Sequence, residues 1–434
     1  MPKRSITIAS KRLLPPIIRG VFENIGHTRY NGIAGTHRGY GVGGYGEVVV
    51  GVVRFPVTGE VLEWAVQRSG IGRDRLYHLF PNWDTWIEGT THPTLKQIEA
   101  VARATHTPVG FFYLPKPARI DLPIPDFRRI ASEEHRELSP DLLDVIYSSQ
   151  LRQAWYRDHL VSDGANPLPF VGSVTTDDDA FKGAAEIRTA LGLSIDERAQ
   201  VRTFTDMARL LRERIEGIGV LVFISGIVGS DTHRTLHPAE FRGFALVDEY
   251  APVVFVNGAD TKAAQIFTLI HELAHVWLGS SALSDVGQWP AHNATETWCN
   301  KVAAEVLVPI DQLRDQRRPE AALQDEIAYL ARIFKVSTLV ILRRFVDAGI
   351  LDYPTYHNAY DTELARVLRI EPRQSSSGGD FYNSTLVRTG HRFARAVLSS
   401  AWEGRTSFTE AMRMLGIRSM NTVRSMSHRL AVHG

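Results

Sequence analysis

His271 and His275, with Glu272 directly after the first, are the residues in this chain whose types and spacing best suit chemistry. On a helix, two positions four apart lie one turn apart on the same face, where two imidazoles can hold one tetrahedral zinc. Glu272 then stands beside a metal-bound water. Zinc lowers the pKa of that water toward about 7, and the carboxylate takes its proton as hydroxide attacks a peptide carbonyl, then returns it to the leaving amine. The surrounding run from Gln265 to Gly279 is otherwise apolar, with Phe267, Leu269, Ile270, Leu273, Ala274 and Val276. Two histidines and a carboxylate are costly in such a setting unless a metal or a polar partner meets them.

A catalytic zinc takes three protein ligands and one water. The candidates for the third are Glu296, Glu305, His292 and Cys299, on or just before the next helical stretch. Glu296 opens that helix, on the side that can fold back over the metal after a loop spanning 276–292, and a carboxylate there completes a His₂Glu set. Glu305 follows about 2.5 turns later and points in a different direction. Cys299 lies on a neighbouring face and reads as a small buried residue.

The elements that must position these residues come next. Residues 139–158, 177–191 and 204–216 have helical periodicity and lead to an apolar run, Gly219 to Ile224, that reads as a strand. Two further strands are predicted over 243–247 and 253–257, separated by a polar turn and Pro252. A small sheet therefore immediately precedes the metal-binding helix, an α+β, mostly helical arrangement. Upstream, residues 56–115 read as four or five short helices in a helix-turn-helix bundle. Proline pairs at Pro115/Pro117 and Pro123/Pro125 mark a linker.

At this point the chain resembles the ImmA/IrrE family of zinc metallopeptidases. Residues 265–278 are similar to its F-T-L-A-H-E-L-G-H helix, and 296–309 to its E-x-x-A-N-x-F-A-A-E-L-L-M-P helix. Carried over by position, the resemblance makes His271, His275 and Glu296 the zinc ligands and Glu272 the catalytic base. Ile270, Ala274, Cys299, Val302 and Val308 depart from the family's residues on the scale of packing. Trp86-Ile87-Glu88-Gly89, with Pro93-Thr94, Gln97-Ile98, Ala102, Pro108 and Phe111-Phe112, resembles the XRE-type helix-turn-helix domain that precedes such peptidase domains. The stretch 325–345 reads as helix, turn, helix, the pattern that closes the peptidase domain in this family.

The division expected is a poorly ordered, glycine-rich segment over 1–55, a helix-turn-helix module over 56–115, a zincin-like peptidase domain with a small sheet over 116–350, and a basic C-terminal helical bundle over 351–434. Gly41 to Gly46 matches G-x-G-x-x-G, but without a preceding strand or a following helix it does not read as a dinucleotide site.

Composition bounds what this protein can be. With 434 residues, 44% apolar and 22% charged, the chain is long enough for several domains and unlike disordered or collagen-like sequences. Lys+Arg of 49 against Asp+Glu of 48 excludes a globally basic nucleic-acid coat. Locally, 56–115 carries five basic against six acidic residues, so that module lacks the cationic excess that dominates DNA affinity. The reading favoured for it is packing or partner recognition. Residues 361–434 hold 11 arginines against six acids; a solvated helical face is the favoured reading, with nucleic acid or an acidic partner as the alternative.

One cysteine excludes an internal disulfide and fits a reducing compartment. No run is long and apolar enough for a membrane span, so cytoplasmic location is expected. The family resemblance implies one zinc ion per chain and a protein substrate, often a helix-turn-helix transcriptional repressor, in stress-response, mobile-element or toxin-antitoxin regulation. The rival expectation is a non-catalytic regulator or antitoxin that keeps the zincin fold and acts by binding DNA or a toxin.

Overall fold

The computed structural model describes residues 54–126, 138–284, 293–369 and 380–432. The glycine-rich segment through residue 53, His292 and the serine/glycine joint at 374–379 lie outside them. The chain divides after Arg119 into two compact units.

The first unit holds helices α1 (Gly59–Ser69), α2 (Arg73–Leu79), α3 (Trp83–Ile87) and α4 (Leu95–Ala104), then a 3₁₀ turn at Val109–Tyr113. Val61, Leu62, Ala65, Ile98, Val101 and Phe112 form its interior. The α4 start is a capping box: Thr94 accepts from the Gln97 backbone while the Gln97 side chain accepts from the Thr94 backbone. Helix α3 has only five residues, and Trp83 and Trp86 are both buried beside Phe80 with ring centroids about 6 Å apart. That helix is a packing element.

The second unit opens with α5 (Pro140–Ser162), α6 (Ala180–Leu191), α7 (Ile195–Gln200) and α8 (Phe204–Gly217). Strands β1 (Leu221–Ser225), β2 (Ile227–Val228), β3 (Asp231–Thr235), β4 (Gly243–Leu246) and β5 (Val253–Asn257) follow, then α9 (Lys262–Leu278), β6 (Ala282–Ser284) and α10 (Ala294–Leu307). The remainder is helical: α11 (Ile310–Asp315), α12 (Leu323–Phe334), α13 (Thr338–Asp347), α14 (Tyr353–Leu368), α15 (Phe381–Thr389), α16 (His391–Trp402), α17 (Phe408–Leu415) and α18 (Met420–Arg429).

The main sheet has the order β1-β5-β4-β6, with β1 parallel to β5 and the other neighbours antiparallel. Strand alternation sorts its side chains cleanly. Val222, Ile224, Ala245, Val254 and Val256 join the α6, α8, α9 and α10 side, while Leu221, Phe223, Phe244, Val253, Phe255 and Leu283 join α5 and α15–α18. The sheet is thus buried on both faces, the middle layer of a helix–sheet–helix stack. Phe244 and Phe255 stack across strands at 4.7 Å.

The C-terminal helices complete this core, because the β1 face needs their apolar side chains to leave water. Most of their arginines are exposed, and several pair within the chain. Arg392 donates to Tyr156 Oη and to the Glu216 carbonyl, Arg388 to the Gly229 carbonyl, and Arg405 and Arg429 pair with Asp163 and Asp380. Gly390, at φ +75°, lets the α15–α16 turn approach the edge strand β1: a Cβ there would stand 2.9 Å from the Val222 carbonyl oxygen. No helix among the described residues is long and apolar enough to cross a membrane.

Candidate metal centre

Helix α9 extends from its Thr261 cap, whose side chain accepts from Ala264 N, to Gly279 in the left-handed C-cap conformation. It is buried along most of its length, and His271, Glu272 and His275 are each fully buried. Helix α10 starts at the Asn293 cap, which accepts from Thr295 N, and places Glu296 in its first turn. Packing α10 against α9 brings Glu296 over the two imidazoles: Oε2 lies 3.1 Å from His271 Nε2 and Oε1 lies 3.2 Å from His275 Nε2. The two Nε2 atoms are 3.3 Å apart. Among the described residues, His271, His275 and Glu296 form a group whose donor atoms all lie within 4.8 Å of one another, all three buried.

The electrostatics suit metal ligation. Burial holds His275 below the ordinary imidazole range despite the opposing pull of Glu296, which favours the neutral ring that a metal needs. Burial alone would raise Glu296, but His271 and His275 outweigh it and hold the carboxylate well below its usual range. Glu272 behaves oppositely. Burial lifts its carboxyl well above the ordinary value, the Glu296 charge adds to the rise, and the Ser284 hydroxyl opposes it. A buried carboxyl next to the donor group, with the Ser284 hydroxyl beside it, is placed to handle a proton there.

The donor set, two imidazoles and one carboxylate, is that of a catalytic zinc site. The other candidates are placed elsewhere. Glu305 pairs with Arg344 Nη2 through Oε2 and lies 3.6 Å from Arg188 Nη1, on the far end of α10. Cys299 is buried and outside the donor group, its thiol raised by burial and by the charges of Glu296 and Glu272. His292 lies outside the described residues.

Two residues at the centre have no counterpart in the motif reading. Strand β6 occupies part of the span expected to be loop, and its last residue, Ser284, faces the site. Gly243 on β4 pairs with it in register. A Cβ at Gly243 would sit 2.5 Å from Thr268 Cγ2 and 2.9 Å from Glu272 Oε1, so the lack of a side chain there makes room for the carboxyl. A glycine at a strand start and a serine in a three-residue strand give no periodic signal; only strand pairing reveals them.

Compared with known families, residues 216–346 match the M78 peptidase model, described as an IrrE N-terminal-like domain. The matched stretch contains all four residues of the α9–α10 centre and supports both the ImmA/IrrE resemblance and a metallopeptidase-type function. Residues 389–429 match a domain of unknown function, DUF8813. No curated protein matches this chain.

Proposed function

We propose that this chain is a zinc-dependent endopeptidase of the ImmA/IrrE type that cuts a protein substrate, a helix-turn-helix transcriptional repressor being the class the family resemblance implies. The observation that carries this reading is the buried His271–His275–Glu296 donor group with Glu272 on the same helix face. Zinc held there would lower the pKa of a water in its open position and polarise a peptide carbonyl. Glu272, with its raised proton affinity, accepts the proton of the attacking water and delivers it to the amine as the peptide bond breaks. His271, His275 and Glu296 hold their positions through two packed helices, which keeps the three donors together.

The test begins with metal content. Elemental analysis of the purified protein should give near-stoichiometric zinc, lost in Glu296→Ala and kept in Glu305→Ala. Incubation with helix-turn-helix proteins encoded nearby should then yield a specific cut, which Glu272→Gln slows by about 10²- to 10⁴-fold while retaining zinc. A folded wild-type protein without zinc, or undiminished cleavage by Glu272→Gln, would overturn the reading.

A further inference from the structure

The metal centre has one more donor within reach. Ser284 Oγ lies 3.3 Å from His275 Nε2 and donates to Glu296 Oε1 at 3.4 Å. Donors bound about 2.0–2.1 Å from one tetrahedral zinc stand about 3.3–3.4 Å from each other. Four of the six edges such a tetrahedron has, His271–His275, His275–Glu296 Oε1, Ser284–His275 and Ser284–Glu296 Oε1, measure 3.3, 3.2, 3.3 and 3.4 Å, near that length, while His271 meets the other carboxylate oxygen, Oε2, at 3.1 Å. Ser284 is fully buried, like both histidines, and Glu296 is 6% exposed.

We propose that the Ser284 hydroxyl holds the fourth position of the bound metal in the resting protein, where a catalytic site would carry water. This rests on the His271–His275–Glu296 reading given above. The hydroxyl coordinates as a neutral donor, so no bond breaks and no proton moves. Pairing explains how it gets there. In β6, alternation turns Leu283 toward the α5 side and Ala282 and Ser284 toward α9. Among the described residues the strand is held by β4 on one side and, on the other, by a bridge to Asp126 with Leu283 N donating to the Pro125 carbonyl. Ser284 is carried by this strand and not by α9 or α10, so the Ser284 end of β6 is the part that must withdraw before water and a peptide reach the metal. The centre is therefore latent, and the occupant of the open position is a side chain of the chain itself.

Cobalt reports this position directly. Wild type, Ser284→Ala and Ser284→Cys, each as the full chain, are loaded with cobalt(II), the metal-to-protein ratio is measured, and azide is titrated against the visible spectrum. Wild type should bind one cobalt and resist azide. Ser284→Ala should bind azide about tenfold or more tightly than wild type. Ser284→Cys should show a sulfur-to-cobalt charge-transfer band, absent from wild type even though wild type carries Cys299. Equal azide binding by wild type and Ser284→Ala, or a loaded Ser284→Cys without the band, would show that Ser284 does not occupy the position. No cobalt uptake by any of the three would instead overturn the metal centre itself, an outcome the metal-to-protein ratio distinguishes.

Discussion

Glutamates in this chain show how strongly placement, rather than residue type, sets chemistry. Glu272 is fully buried and its proton affinity rises; Glu296 faces two imidazoles and its proton affinity falls. Glu363 is a third case. Arg366, Thr338 and Gln324 all donate to it, and with the Arg366 bond leading they hold its carboxyl down to about 2 from 4.5. Because the folded value is the lower one, the stabilisation is complete above the unfolded value and is lost as pH falls through the folded one. Denaturant midpoints should show Glu363→Gln less stable than wild type by about 1–2 kcal/mol at neutral pH. The difference should shrink as pH drops from about 4.5 toward 2. At this scale the His271–His275–Glu296 donor group was legible, because i, i+4 histidines on an apolar helix and a glutamate at the next helix start are local patterns. Ser284 was not, since a lone serine carries no pattern.

Among the elements, α10 links the centre to the rest of its domain. Its N-terminal turn carries Glu296, and its C-terminal carbonyls are gathered by arginines from three other helices. Arg188 donates to the Glu305 carbonyl, Arg198 to those of Val306 and Leu307 and also to that of Phe334 at the end of α12, and Arg344 to that of Val308. Positive charge at a helix C-terminus is favourable, and these groups otherwise lack partners. Removing Arg198, itself buried, leaves carbonyls unsatisfied inside the fold. Arg198→Ala should therefore lower unfolding stability by about 3 kcal/mol in chemical denaturation, with zinc content unchanged in the folded fraction. The long helices and the strands β1, β4 and β5 were legible from periodicity. The hairpin β2–β3 and the strand β6 were not: β3 reads Asp-Thr-His-Arg-Thr, and β6 is three residues long. Short or polar strands owe their existence to a neighbour's hydrogen bonds rather than to their own pattern.

Across the whole second unit, the sheet has no solvent-facing side. Leu221, Phe223, Phe244 and Phe255 are covered by α5 and the C-terminal helices, and Arg152, lowered to about 10 chiefly by burial, donates to the Met414 carbonyl while lying 5.4 Å from the Phe223 ring. A chain ending at residue 379 would lack α15–α18 and expose that face. It should lose cooperative thermal unfolding and elute as aggregate in size-exclusion chromatography, whereas a C-terminal region that were a separate solvated bundle could be removed without harm. By itself the sequence determined the candidate donors and the local elements: the His271–Glu272–His275 helix face, Glu296 at a helix start, and the helical and strand periods, because each depends on residues a few positions apart. Tertiary structure alone decided that β6 brings Ser284 beside His275 and Glu296, that Gly243 makes room for Glu272, that Glu305 is an arginine's partner, and that the arginine-rich C-terminal helices form the second wall of the sheet. Those outcomes depend on which distant surfaces meet when apolar area leaves water, and no short-range pattern encodes that pairing.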